Sequence, residues 1–247
     1  MTALPPTPPA GSDRPPESAI NIGGDLAPAM LRRIAVLHGF GIAPPGAPCT
    51  IMMTLRATDR ELQACLAGGA RGYVEVESDL GLPAPALRGL AAPDRLHVSV
   101  TTASCFSMAM PPILGGEMIA RGWLRPDRVH DLELCLHEAV SNAVVHGNLG
   151  IRNGPGGDRE AFDRFHREIH SRMAMRDYAR RRVSIDISNE ADQAVVAVSD
   201  EGEGYQAASP DVAPDAKSGR GLRLLRELAD AVDVTAGGSR ISMMFKR

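Results

Sequence analysis

The sequence predicts a two-layer α/β fold: a mixed, mainly antiparallel sheet with helices on one face, preceded by a small α/β segment. Three observations carry that prediction. A long amphipathic helix is written between Pro126 and Gly147. Two strand-like stretches at 183–188 and 194–199, the first alternating at Val183, Ile185 and Ile187, are joined by the turn-like Asn189-Glu190-Ala191-Asp192. The chain closes on a hairpin around Gly237-Gly238.

The 247 residues are 44% hydrophobic, 23% charged and 4% aromatic, with a formal net charge of −3, which is the balance of a folded, soluble protein. Near-neutral charge argues against a general nucleic-acid binder, because phosphate neutralisation needs an excess of Lys and Arg on one face. Prolines 5, 6, 8, 9, 15 and 16 predict a disordered tail over residues 1–19. That tail has no basic stretch followed by an apolar run, so no secretory leader and a cytoplasmic location are expected. Residues 98–116 are uncharged, but Pro111, Pro112, Gly115, Gly116 and several hydroxyls interrupt them, and no membrane span is expected. Cys49, Cys65, Cys105 and Cys135 match no metal or redox spacing and are read as buried free thiols.

Within residues 20–92 the pattern gives a short strand at 49–54 and then a helix. Thr58 is its N-cap, Glu61 the capping-box partner, and Gly68-Gly69 its end. A second strand is expected at 73–76 and a domain boundary near 91–94, leaving 93–247 as the second domain. There, 97–101 alternates like a half-buried strand, and 112–121 reads as a helix opened by proline. The helix from Pro126 places Val129, Leu132, Leu136, Ala139, Val140 and Ala143 at helical spacing. Residues 148–182 carry nine Arg against five acids, with a helix over about 159–176 that serves as a partner surface or a solvated cover. The last helix puts Leu222, Leu225, Ala229 and Val232 on one face.

At 100° per residue, Asp131, Cys135, Glu138, Asn142 and His146 share a sector away from the apolar stripe. A carboxylate and an amide thus project together from one rod, although a solvated i,i+4 pair looks the same. Asp200-Glu201-Gly202-Glu203-Gly204 follows a strand directly. Its alternating glycines admit close backbone approach, and Asp200 can accept a hydrogen bond from an exocyclic amine; a plain hairpin turn shares those letters. Ser218-Gly219-Arg220-Gly221-Leu222 opens a helix whose first amides favour phosphate, or simply starts a helix.

These three stretches, in this order, resemble the ATP-binding fold shared by gyrase, histidine kinases and their relatives, the GHKL or Bergerat fold. Glu138-Ala-Val-Ser-Asn142-Ala-Val-Val-His146-Gly147 resembles its N box, and the segments from Asp200 to Gly204 and from Gly219 to Leu222 resemble its two glycine boxes. The resemblance covers about residues 95–247. It implies that Asn142 holds a Mg²⁺ bridging the ATP phosphates and that Asp200 bonds the adenine amino group. It places Gly202 and Gly204 beside the base, and Ser218, Gly219, Arg220, Gly221 and Leu222 at the phosphates. His146 joins the ATP-contacting set. Residues 205–218 become a lid ending at Lys217, which reaches a phosphate or is solvated. Glu138 becomes a general base, a role worth ~10² to 10⁴ in rate.

The wording HEAVSNAVVHGN is similar to the anti-sigma-factor serine/threonine kinases of bacterial partner switching. Those kinases phosphorylate a protein antagonist, and the longer insertion here resembles variants in stress regulators. That implies a protein partner, an antagonist or a sigma factor, and homodimerisation. The alternatives are a non-catalytic ATP-dependent module that sequesters a sigma factor or another regulator, and a detached histidine-kinase catalytic domain. Residues 49–77 faintly resemble the second half of a response-regulator receiver through Met52-Met53-Thr54 and Gly69-Ala70-Arg71-Gly72-Tyr73. Val76-Glu77 replaces Lys-Pro, and Asp25 is the sole acid between residues 18 and 58. That implies a truncated, degenerate unit without phosphoryl acceptance, which binds something or packs on the ATP domain.

Overall fold

The structure, a computed structural model, describes residues 20–77, 81–152, 158–204 and 220–247. Strands β1 (Asn21–Gly24), β2 (Gly41–Ile42), β3 (Ile51–Thr54), β4 (Gly72–Glu75), β5 (Arg95–Thr101), β6 (Arg182–Asn189), β7 (Gln193–Asp200), β8 (Ala231–Thr235) and β9 (Arg240–Lys246) form one sheet. Their order is β2-β1-β3-β4-β5-β6-β7-β9-β8. Neighbours are parallel from β2 to β5 and antiparallel from β5 to β8, and the antiparallel ladders are the longer. The predicted fold class holds.

The sheet runs without a break through the sequence boundary expected near 91–94, because β4 pairs with β5 in the register Gly72↔His97 and Tyr73↔Val98. One core unites both parts. Leu62 and Leu66 of α2 (Asp59–Ala67) and Tyr73 cluster with Leu114 of α5 (Met110–Ala120), Leu132 and Leu136 of α6 (Val129–Asn142), and Leu225 of α9 (Arg220–Leu228). A second cluster on the other face of the parallel strands joins Ile34 of α1 (Pro28–His38) to Ile51, Met53, Val74 and Leu87 of α3 (Ala84–Gly89). Arg121 adds a polar tie, donating from Nη2 to the Ala70 carbonyl at 2.8 Å.

Local chemistry explains which elements could be anticipated. Thr58 caps α2 as expected, accepting from the Glu61 amide at 3.3 Å and donating to its carboxylate at 3.0 Å. By contrast, β1, α1, β2 and α3 have no such signature, and α4 (Thr102–Ser107) has only the Thr101 hydroxyl accepting from the Ser104 amide at 3.3 Å, with no acid to complete a capping box. α1 starts without a side-chain cap, and Val36 and Leu37 are exposed on it, which blurs its apolar stripe.

The helix expected over 126–147 is three pieces: a 3₁₀ turn Pro126–Arg128, the α-helix α6, and a π-helical turn Ala143–Asn148. Cys135 does not belong to its polar sector and is fully buried in the core. Packing by α5 on one flank and α9 on the other widens the covered arc; a Cβ on Gly115 of α5 would already stand 3.1 Å from Val129. Val232 is not on α9, which ends at Leu228; it lies in β8, and the final hairpin pairs Ala231–Thr235 with Arg240–Lys246.

The insertion forms α7 (Arg159–Met173) and α8 (Arg176–Ala179), and Ile169 reaches the main core. All four cysteines are buried and unpaired. Burial pushes the thiols of Cys65 and Cys105 up to about 12 and that of Cys135 to about 11. Among the described residues no helix is long and apolar enough to cross a membrane.

Candidate nucleotide-binding site

The site is assembled along one rod, α6 and its π-helical extension. Near its middle, Asn142 donates from Nδ2 to Glu138 Oε1 at 3.1 Å. Alone, that is an ordinary i,i+4 pair. Its setting separates it from a solvated face, since Gly221 in the first turn of α9 lies directly over Glu138. A Cβ at 221 would fall 2.7 Å from the Glu138 carboxyl carbon, so any larger residue there must displace the Glu138 carboxylate. The first turn of α9 contains no acidic residue of its own, and its dipole is positive at this end, beside Glu138.

One turn beyond Asn142, exposed His146 holds Nδ1 2.6 Å from the Ile151 carbonyl. A carbonyl can only accept, so Nδ1 is the donor in this contact.

At the end of the rod, Gly147 meets the carboxylate of Asp200. A Cβ at 147 would lie 2.5 and 2.6 Å from its two oxygens. Gly202 packs on the same point, where a Cβ would be 2.8 Å from Gly147 Cα. Asp200 Oδ1 accepts from the Gly202 amide at 2.8 Å, which curls the chain as it leaves β7. Burial raises the Asp200 carboxyl above its ordinary value; the Gly202 amide and the nearby Arg181 pull the other way without cancelling it. Gly204 adopts φ 82°, a left-handed conformation suited to glycine, and rests against the turn between β8 and β9.

Thus Glu138, Asn142, Gly147, Asp200, Gly202 and Gly221, from three distant stretches, border a single helix. The contacts at 138 and 147 are nine residues apart, about 13 Å at α-helical rise. Leu222 differs from the expectation in part: its side chain packs on the core, leaving only its backbone for a ligand. Lys217, Ser218, Gly219 and the lid expected over 205–218 lie outside the described residues; Arg220 opens α9.

The model of the histidine kinase-like ATPase domain matches residues 116–245, more than half of the chain. The chain belongs to the histidine kinase-like ATPase family. Domains of this family bind ATP, generally with Mg²⁺. The match begins within α5, so β1 to β5 precede it. No curated protein matches the chain.

Sequence reasoning gave no role to Asn148, although it ends the segment HEAVSNAVVHGN. It is fully buried. Its Nδ2 donates to Thr102 Oγ1 at 2.8 Å and to the Arg182 carbonyl at 2.9 Å, and its Oδ1 accepts from the Glu201 amide at 2.8 Å. The available signal was an amide among Val144, Val145, Leu149 and Ile151, in a run whose other polar side chain is His146.

Proposed function

We propose that this ATPase-family protein is a serine/threonine protein kinase of the partner-switching type, which binds Mg·ATP and phosphorylates a protein antagonist. The observation that carries this reading is the Glu138–Asn142 pair held beneath the glycine that opens α9. The residues present suit the nucleotide: Gly147, Gly202 and Gly221 let the end of β7 and the first turn of α9 close onto the rod that carries Glu138 and Asn142, and that first turn has no acidic residue of its own. Among the described residues no cluster of His, Cys, Asp or Glu is built to hold a metal alone. A cation here would be held by Asn142 together with the phosphates of the ligand. When bound, it supplies charge neutralisation at the transferring group.

In this reading the chain's own residues orient and move a proton. Asp200 accepts from the adenine amino group, and the Gly202 backbone lies beside the base. The amides at the start of α9 meet the terminal phosphates. Glu138 accepts the proton of the attacking hydroxyl, while its hydrogen bond from Asn142 keeps the carboxylate aimed. The N-terminal unit is read as a degenerate receiver-like domain over residues 20–92, packed on the ATP domain of 93–247. The parallel order β2-β1-β3-β4 within this unit, continued by β5 of the ATP domain, follows that of doubly wound sheets of the flavodoxin type and supports this.

The test is Glu138→Ala. It is expected to keep ATP affinity within about threefold and to slow phosphotransfer to the partner by ~10² to 10⁴. Partner control that survives in that variant would favour sequestration without catalysis. Acid-labile phosphate on the partner would instead assign a histidine acceptor.

A further inference from the structure

The β6–β7 ladder is regular from Asn189↔Ala194 to Val183↔Asp200. The next rung would pair Arg182 with Glu201, and it is not made. The Glu201 amide donates instead to Asn148 Oδ1 at 2.8 Å, and Asn148 Nδ2 donates to the Arg182 carbonyl at 2.9 Å. Of the two groups that remain, the Arg182 amide donates to the Glu201 carboxylate at 2.8 Å. A side-chain amide thus stands in for the peptide group of the opposite strand. It turns one donor to the Arg182 carbonyl and one acceptor to the Glu201 amide, as a rung demands, and satisfies both backbone groups while holding the strands apart by its own width.

We infer that Asn148 is a positioning residue for purine selection. It wedges β6 from β7 one residue beyond Asp200, so that the chain from Asp200 to Gly202 turns off the sheet and onto Gly147. The π-helical turn serves this geometry: it ends at Asn148 and delivers the amide between the two strands in the same step that presents Gly147 to Asp200. Thr102 Oγ1 fixes the amide from the third side and in turn donates to the Arg181 carbonyl at 2.7 Å. Arg181 closes the junction by donating to the Asn148 carbonyl at 2.6 Å. The inference rests on the nucleotide-binding reading in one respect only, that Asp200 reads the 6-amino group.

The experiment compares Kd for ATP and for purine riboside triphosphate, which lacks the 6-amino group, in wild type, Asn148→Ala and Asp200→Ala. Amide hydrogen exchange across residues 199–203 is followed in the nucleotide-free proteins. Wild type is expected to prefer ATP by about tenfold or more, the worth of one hydrogen bond to a charged group. In Asn148→Ala the preference is expected to fall below about threefold, with purine riboside triphosphate affinity little changed and exchange at 201–202 at least tenfold faster.

Equal loss of both nucleotides, or an intact preference in a folded variant, would overturn the inference and assign Asn148 to stability alone. A wild type that binds ATP without preference would remove the reading of Asp200; unchanged exchange in Asn148→Ala would remove the wedge itself. Asn148→Asp keeps the acceptor for Glu201 and loses the donor to Arg182. It is expected to shift preference and exchange in the same direction, and decides the question should the alanine variant not fold.

Discussion

Gly147→Ala probes the junction where the helix meets the end of β7. The added methyl would stand 2.5 and 2.6 Å from the Asp200 oxygens, whereas ordinary contact begins near 3.4 Å, a shortfall of about 0.8 to 0.9 Å. Asp200 cannot swing clear at no cost, because its carboxylate is held by the Gly202 amide and its backbone ends a ladder. Overpacking of this kind costs about 1–3 kcal/mol. Against it, alanine gains up to about 1 kcal/mol over glycine in a helix.

A net loss of about 0–2 kcal/mol corresponds to a fall in Tm of up to roughly 8 °C for a chain of this size. The assay is a double-mutant cycle with Asp200→Ala, followed by chemical denaturation. Once the carboxylate is gone the clash is gone, so Gly147→Ala is expected to become neutral or stabilising in that background, with a coupling of about 1–3 kcal/mol. An equal effect of Gly147→Ala in both backgrounds would refute the contact and with it the convergence of the two motifs.

Gly221→Ala is expected to lower phosphotransfer by at least tenfold with ATP affinity within about threefold and little change in stability, because the methyl displaces Glu138 rather than core; kinetics and calorimetry check it. Asp186 supplies a pH-dependent term. Burial acts to raise its carboxyl, but the hydrogen bond with His97 at 2.7 Å and the contact with Arg240 at 2.8 Å outweigh this and hold it below the ordinary value. A depressed native pKa contributes stability that is present above the unfolded value near ~3.9 and lost as pH falls through the native one, so Asp186→Asn is expected to be destabilised at pH 7 and to converge with wild type in acid. Arg182→Ala is expected to cost about 3–5 kcal/mol, measured by denaturation, because the buried guanidinium bonds Ser99 and the Glu75 carbonyl and faces Glu201, Glu75 and Glu77. The four thiols are expected to resist a disulfide reagent at pH 8 until the protein unfolds.

Much of the ATPase half was legible because its signals are local. The apolar spacing of α6 and the alternation in β6 each act within a few residues, as does the capping box at Thr58 in the N-terminal part. The N box and glycine boxes were equally visible, since each sits at an element edge. What the sequence concealed is nonlocal. Gly72 and Tyr73 give no sign that their strand will pair with β5 and carry one sheet across both parts. Cys135 sits on the polar side of a helical wheel, yet two flanking helices bury it. Gly147 and Gly221 looked like a stop signal and a helix start, and their use as close approaches to Asp200 and Glu138 depends on elements far away in sequence. Asn148 was hidden for the same reason, because its partners are 34 to 53 positions distant.

Calorimetric titration of ATP into wild type and Asn142→Ala, each with and without Mg²⁺, goes to the heart of the matter. The geometry predicts that Mg²⁺ tightens ATP binding to wild type by tenfold or more and that Asn142→Ala loses most of that gain while remaining folded. Equal affinity in all four titrations would contradict a nucleotide site centred on Glu138 and Asn142.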